Sequence, residues 1–204
     1  MRTIDGPRVS VELGKTWSFA DAVDWPGWCR RGKGEEAALE ALLEYADRYA
    51  LVTGAPIEAG PVTIIGRSTG TATTDFGAPD ARGPWDDEVL TEVEADRLLA
   101  LVEAGWRYLD DVVAVAPAEL RKGPRGGGRD RDAVREHVRE AERSYARKIG
   151  ARVPPRTDWN AQRTAIAAAI RQSPTGPVWS RRHFMRRTAW HVLDHAWEIE
   201  DRSE

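Results

Sequence analysis

The chain has 204 residues, of which 41% are hydrophobic and 31% are charged, and its formal net charge at pH 7 is -3. This composition suits a folded domain, and the slight acidic excess argues against a dedicated nucleic-acid binder, which usually carries a basic surplus. No segment approaches about twenty consecutive apolar residues, so no transmembrane helix is predicted and no membrane partner is expected. The single cysteine, Cys29, excludes an intrachain disulfide, and the N-terminal residues show no signal-peptide pattern, so a cytoplasmic location is expected.

The first part of the chain predicts short elements of both kinds. RVSVEL (8–13) alternates apolar and polar residues, which is typical of a strand with one buried face, and TWSFADA (16–22) continues that period. DWPGW (24–28) predicts a turn, and GEEAALEALLEYADRYA (34–50) has the apolar spacing of a helix. PVTIIG (61–66) predicts another strand, and the turn-rich residues 67–84 leave room for one more before a linker.

From Trp85 onward the apolar spacing is that of helices. Pro and Gly interrupt the pattern at several points, which divides it into four predicted helices, at about 87–115, 131–149, 158–172 and 180–201. Gly126 to Gly128 make the loop before the second of these helices glycine-rich. The sequence therefore predicts an α+β protein, with a small α+β unit over residues 1–83 and a four-helix bundle over residues 84–204.

Three of the four histidines fall on the apolar stripes of two predicted helices. His191 and His195 are four residues apart on the last helix, so their side chains share one face. That face also carries the helix's apolar residues Phe184, Thr188 (by its methyl group), Val192 and Ile199. His137 lies on the stripe of the second helix, which is formed by Val134, Val138, Ala141, Tyr145 and Ile149. His183, in the arginine-rich start of the last helix, is expected to be exposed.

Three inward-facing imidazoles predict a metal site. A buried imidazole needs a partner for its donor and its acceptor, and protonated rings close together repel each other. A divalent cation removes both difficulties, and zinc is the expected ion, with nickel or iron as alternatives. Three protein nitrogens would leave a fourth position open, as in catalytic zinc sites. The alternative is that the histidines bind no metal and bond to nearby carboxylates such as Asp194, Glu198 or Glu142.

Two stretches carry a resemblance to a known family. HVREAERSYARKIG (137–150) and RRTAWHVLDHAWEIEDR (186–202) resemble the DinB-like superfamily of metal-binding four-helix bundles, which has one histidine on its second helix and HxxxH on its fourth. The resemblance implies that His137, His191 and His195 are ligands of a divalent metal at one end of the bundle, and that the protein is a possible homodimer. The superfamily includes thiol S-transferases that use mycothiol or bacillithiol, and mycothiol-dependent isomerases.

This resemblance implies a thiol S-transferase that acts on a small electrophilic substrate, with a mycothiol-type thiol as cosubstrate. Nearly all basic residues are arginine and alanine is abundant, a bias typical of GC-rich genomes such as those of actinobacteria, and such a source favours mycothiol. The same three ligands would also suit a metal-dependent hydrolase, in which bound water is the nucleophile. A third interpretation is that the protein is a non-catalytic module that binds a metal or a small ligand.

A weaker resemblance concerns the N-terminal unit. DWPGWCRRGKGEEAAL (24–39) resembles HicB-like units at Pro26-Gly27, Gly32, Glu36-Ala37 and Leu39, although the usual spacing before the alanine is one residue longer. Units of that type often neutralise toxins or contact other proteins. Fused to a helical bundle, the unit is expected to act as a scaffold or as a lid over a pocket, or to contact a protein if the chain is a binding module.

Further side chains are candidates to assist at the metal. Glu198 shares the face of the two histidines of the last helix, and is a candidate general base or an acceptor that orients an imidazole. Arg187, four residues before His191, is a candidate to bind an anionic substrate. For both, a salt bridge is the alternative. The residues proposed to line an apolar substrate pocket, with plain packing as the alternative, are Trp106, Trp159, Trp190 and Trp197.

Overall fold

The computed structural model of the protein describes residues 6–57, 60–123, 127–172 and 176–203. The chain divides into two compact units, Met1–Val89 and Leu90–Glu204. The first contains a four-stranded sheet with helices, and the second is built from helices. The fold class is therefore α+β, as the sequence predicts.

The sheet of the first unit has the strand order β3-β2-β1-β4. Strand β1 pairs antiparallel with β2 and parallel with β4, and β2 pairs antiparallel with β3. Helix α1 packs against β2 and β3. The elements are β1 (Arg8–Leu13), β2 (Ser18–Ala22), β3 (Cys29–Gly32), α1 (Glu35–Glu44), α2 (Ala46–Thr53), β4 (Thr63–Thr69) and α3 (Ala72–Phe76).

Three details of this unit differ from the prediction. Strand β3 was not predicted, because its four residues, CRRG, carry no alternation of apolar and polar side chains. The single helix predicted over 34–50 is two helices that meet at Tyr45. No further strand forms in the turn-rich residues after β4, all of which are described. Helix α3 lies there instead, and the side chain of Thr71 caps its first turn.

Strand β1 is buried on both faces, so the prediction of one buried face is wrong. Ser10 and Glu12 are buried, whereas Leu13 at the end of the strand is partly exposed. The carboxylate of Glu12 accepts hydrogen bonds from the backbone N–H groups of Asp80 (3.0 Å) and Ala81 (3.0 Å) and from the hydroxyl of Thr74. These donors satisfy the buried charge, even though burial raises the pKa of Glu12.

Four long helices make up most of the second unit, and they confirm the four that the sequence predicts. They are α4 (Glu92–Val115), α5 (Arg131–Ala146), α6 (Trp159–Gln172) and α7 (Arg181–Ser203). Helix α4 begins later than predicted because a capping box forms at Thr91: its hydroxyl accepts from the N–H of Glu94 (3.2 Å), and the Glu94 carboxylate accepts from the N–H of Thr91 (2.9 Å). Within the loop before α5, Gly126 lies outside the described residues.

The core of the second unit lies between these helices. Helix α4 packs along α7, α5 also packs on α7, and α6 contacts α4 and α5. Fully buried apolar side chains from each helix fill the space, among them Leu99, Leu109, Val138, Ile166, Ile170, Phe184, Met185 and Val192. Over the part of the chain that is described, no helix combines the length and the apolar character that crossing a membrane requires.

A buried ionic cluster joins α4, α5 and α6. The carboxylate of Glu142 accepts a hydrogen bond from the indole N–H of Trp159 (2.6 Å), and its other oxygen lies 3.7 Å from Nε of Arg163. The Arg163 guanidinium also donates to Asp110 (2.7 Å) and lies 4.0 Å from the Trp159 ring centroid and 5.4 Å from that of Trp106. Both tryptophans are therefore packed against this cluster.

The ionisation of Glu142 predicts a pH effect on stability. Burial raises the pKa of this carboxyl above 4.5, so the folded chain holds the proton more tightly than the unfolded chain. The stabilising contribution is thus full below the unfolded pKa and is lost as the pH rises through the folded pKa. Between the unfolded and the folded pKa of Glu142, the free energy of unfolding of the unaltered protein should fall as the pH rises. Relative to that of the Glu142→Gln variant, the fall should be at most about 1.4 kcal/mol per pH unit.

Urea unfolding at a series of pH values measures this difference. The matched control is Glu140→Gln, an exposed substitution on the same helix, whose unfolding free energy should run parallel to that of the unaltered protein. A difference that grows in favour of the unaltered protein as the pH rises would mean that the ion pair with Arg163 outweighs burial.

Candidate metal centre

The structure brings His137, His191 and His195 together between α5 and α7. The ring centroid of His137 lies 5.0 Å from that of His191 and 4.9 Å from that of His195. The ring centroids of His191 and His195, both on α7, are 4.6 Å apart. One potential ligand nitrogen from each residue lies within 4.8 Å of the others. Nitrogens bound to one tetrahedral zinc lie about 3.4 Å apart, so the three rings would have to move closer together to close a site.

Exposure varies across this three-histidine cluster. His191 is buried, with 7% of its surface exposed, whereas His137 and His195 are half-buried. The inward orientation that the helical stripes predict is thus confirmed most fully for His191. The half-buried pair leaves the cluster accessible from outside, which is what a site that exchanges ligands needs.

The fourth histidine does not belong to the cluster, and the prediction that it is exposed is wrong. Only 4% of His183 is exposed, and its ring packs edge-on against Trp179, with centroids 4.8 Å apart. The arginines beside it in the first turn of α7 are buried too. Arg181, for example, donates to the carbonyl oxygens of Leu90 (3.3 Å) and Ile170 (3.5 Å). Arg181 can be buried because these carbonyl oxygens and the carboxylate of Glu92 accept its hydrogen bonds.

Two of the three histidines favour the neutral imidazole. Burial lowers the pKa of His191 well below 6.5, and the neighbouring His195, Arg187, His137 and Arg129 lower it further. Burial, His195 and Arg129 also lower the pKa of His137, against a smaller opposing effect of Glu198. Neutral imidazole is the form that binds a metal, so His137 and His191 need not lose a proton before binding at neutral pH.

One buried nitrogen in the cluster has nothing to bond to. Nδ1 of His191 is shielded from solvent and has no hydrogen-bond partner among the described residues. A buried polar atom without a hydrogen-bond partner costs free energy, and a cation that binds this nitrogen would remove that cost. The donor set of three imidazole nitrogens therefore fits a divalent metal such as zinc, nickel or iron.

Glu198 orients one of the three rings. Its carboxylate lies 2.8 Å from Nδ1 of His195, and this contact, against burial, lowers the pKa of Glu198. An ionised carboxylate only accepts hydrogen bonds, so Nδ1 of His195 is the donor in this contact, and Nε2 is the ring nitrogen left to face a metal. The other carboxylate oxygen accepts from Arg202 (2.7 Å), whose Nε donates to the carbonyl oxygen of Arg121 (2.8 Å).

Aromatic rings lie beside the cluster, and two of them were not predicted as parts of a site. The Tyr145 ring lies 5.8 Å from that of His191 and 5.3 Å from that of Trp179, measured between centroids. The available signal was the position of Tyr145, which is two helical turns after His137 and on the same stripe. Among the predicted pocket residues, Trp190 lies here, with its ring 6.0 Å from that of His191.

The other candidate residues lie elsewhere. Trp106 and Trp159 pack against the Glu142–Arg163 cluster, and Trp106 also lines a cavity of about 280 Å³ between α4 and α6. Trp197 is fully buried in α7. Arg187, Glu198 and Trp190 are candidates that the structure places beside the cluster.

Glu198→Gln is expected to weaken metal binding by roughly 10- to 100-fold, the loss typical when a group that orients a ligand is changed. The amide keeps the size of the side chain but removes the charge that holds the His195 proton on Nδ1. Zinc affinity measured by competition with a chromophoric chelator tests this. Glu140→Gln, the exposed control, should bind zinc as the unaltered protein does, and equal affinities for both variants would contradict the orienting role.

Comparisons of the chain with protein-family models, with curated proteins and with solved structures find no match, so they identify neither a DinB-like nor a HicB-like family.

Proposed function

We propose that this protein is a divalent-metal-dependent enzyme that transfers a mycothiol-type thiol to a small electrophilic substrate. His137, His191 and His195 would hold the metal, with zinc the preferred ion. The observation that carries the proposal is the convergence of three imidazoles, with potential ligand atoms within 4.8 Å of one another. In one of them, His191, the buried Nδ1 has no hydrogen-bond partner among the described residues. The sequence resemblance to DinB-like thiol S-transferases supplies the reaction type.

The wider architecture is part of the same proposal. Helices α4 to α7 would form a four-helix bundle of the DinB-like kind, because the three histidines lie on its second and fourth helices in the family's order. The N-terminal unit would be HicB-like and serve as a scaffold. Its α1 follows β3 directly, which agrees with the helix that opens after the glycine in the resemblance.

The metal would supply one chemical effect: a divalent cation lowers the pKa of a bound thiol and so provides a thiolate nucleophile at neutral pH. The protein's own side chains would hold the metal and orient the rings that bind it. Glu198 fixes the His195 proton at Nδ1 and is itself fixed by Arg202, so its contacts favour a positioning role over that of a general base. The rings of Tyr145 and Trp190 flank His191, where they would limit access of water.

The proposal is tested by assaying thiol transfer. Full-length protein reconstituted with zinc is incubated with mycothiol and a panel of small electrophiles, and the adducts are quantified by mass spectrometry. Adduct formation above the uncatalysed rate is expected, with loss of that excess in metal-free protein and in His137→Ala. The control is His183→Phe, which keeps a ring against Trp179 and should retain transfer.

Each other outcome contradicts part of the proposal. Protein that binds no stoichiometric metal would overturn it entirely. Protein that binds metal and hydrolyses esters in the panel, without forming adducts, would make the chain a metal-dependent hydrolase. Metal binding with neither reaction would make it a non-catalytic binding module.

A further inference from the structure

Arg187 lies beside the three-histidine cluster in a fixed position. It precedes His191 by one helical turn on α7, so both side chains lie on one face. Its Cζ is 5.1 Å from the centroid of the Tyr145 ring and 4.6 Å from that of the Trp190 ring. The ring of His191 contacts the same two rings, at 5.8 Å and 6.0 Å. The guanidinium and the imidazole therefore share two aromatic neighbours.

The guanidinium of Arg187 has a donor that is not used. Its Nη1 is shielded from solvent and has no hydrogen-bond partner among the described residues. Arg202 of the same helix also has one shielded nitrogen without a partner among the described residues, Nη2, but its Nε donates to the carbonyl oxygen of Arg121 and its Nη1 donates to Glu198. A shielded donor without an acceptor costs free energy, and an oxygen of a bound ligand would remove that cost.

The surroundings of Arg187 are positively charged. Arg187 and Arg129, which lies in the loop before α5, both place a positive charge near His191. A divalent cation in the cluster would add to this positive field. The nearby carboxylate, Glu198, is already engaged by His195 and Arg202. An entering anion would be attracted to these cations, and a neutral ligand would leave them close together and uncompensated.

We propose that Arg187 binds a carboxylate of the ligand that enters the three-histidine site, so that the substrate class is a small carboxylate-bearing molecule. This inference rests on the proposed function, since the metal would hold the thiol while Arg187 holds the carboxylate. The planar guanidinium presents paired donors that match the two oxygens of a carboxylate. The flat Tyr145 and Trp190 rings fix the guanidinium plane, so little side-chain freedom is lost on binding.

A matched pair of thiols tests this in the full chain loaded with cobalt(II). The probes are 3-mercaptopropionate and 3-mercaptopropan-1-ol, which differ in the carboxylate, and binding is followed by the thiolate-to-cobalt absorption band. The unaltered protein should prefer the carboxylate by roughly 10- to 100-fold, the range for a charge-assisted hydrogen bond. Arg187→Met should abolish that preference while it still binds cobalt. Arg171→Met, an exposed substitution on α6 with the same charge change, should keep it.

The outcomes separate this inference from the proposed function. Cobalt binding with equal affinity for both thiols would overturn the role of Arg187 and leave the metal site standing. If no cobalt binds, the proposed function fails, and a second measurement decides the inference: propionate is titrated into metal-free protein against 1-propanol, followed by the NMR signal of the Trp190 indole N–H. A saturable shift with propionate, absent in Arg187→Met, supports the carboxylate site, and no shift overturns it.

Discussion

Replacing His191 by alanine is expected to lower zinc affinity by at least about 100-fold, the upper end of the loss seen when a group outside the ligands is removed. His191 is the most buried of the three histidines and lies within 5.0 Å of both others, centroid to centroid. Its removal leaves two nitrogens from two helices, which is fewer than the three protein ligands typical of catalytic zinc sites. Elemental analysis after gel filtration should give near-stoichiometric zinc for the unaltered protein and none for the variant.

The control for this experiment is the fourth histidine. His183→Phe keeps an aromatic ring against Trp179 and removes an imidazole that lies outside the cluster. It should retain zinc, and both variants should keep the far-UV circular dichroism of the unaltered protein. Equal zinc content in the His191 variant and the unaltered protein would show that the cluster does not hold a metal.

Replacing Phe184 by alanine is expected to reduce the free energy of unfolding by roughly 3–5 kcal/mol, the usual cost of truncating a buried phenylalanine. Its side chain has 0% of its surface exposed and lies in the core that α4 to α7 share. The loss combines the transfer of apolar surface with the cavity that the missing ring leaves between helices. Urea unfolding followed by far-UV circular dichroism measures it.

A second phenylalanine provides the matched control. Phe76 ends α3 in the first unit and is 90% exposed, so Phe76→Ala removes the same atoms from a place where they are already in water. Its free energy of unfolding should stay within about 0.5 kcal/mol of the unaltered value. A comparable loss in both variants would contradict the assignment of Phe184 to the core.

The sequence predicted those features that are set within a single helix or strand. The i, i+4 spacing of His191 and His195 and the stripe around His137 each follow from one helix, and the structure places these three rings together. The bounds of the long helices follow from their apolar period and their breaks. Strand β3 lacks such a period, and its place follows from pairing with β2, which is not visible in CRRG itself.

Features that depend on partners distant in the chain could not be predicted. The arginine-rich start of α7 suggests a solvated turn, but carbonyl oxygens of Leu90 and Ile170 allow Arg181 to be buried there. The sequence around a tryptophan does not show which residue its side chain will contact either. Trp159 bonds to Glu142, while Trp190 lies beside Arg187 and His191. Which acceptor or ring a long side chain meets is decided by tertiary packing.

The hydrogen bonds of Arg202 tie a loop to the candidate site. Its guanidinium joins Glu198 to the carbonyl oxygen of Arg121, and the N–H of Arg121 donates in return to the carbonyl oxygen of Arg202 (2.9 Å). The contact with Arg121 and the orientation of the His195 ring thus share one side chain. Thermodynamic coupling is reciprocal, so if loss of the Arg202–Arg121 contact lowers the affinity of the three-histidine cluster for a metal, a bound metal stabilises that contact by the same free energy.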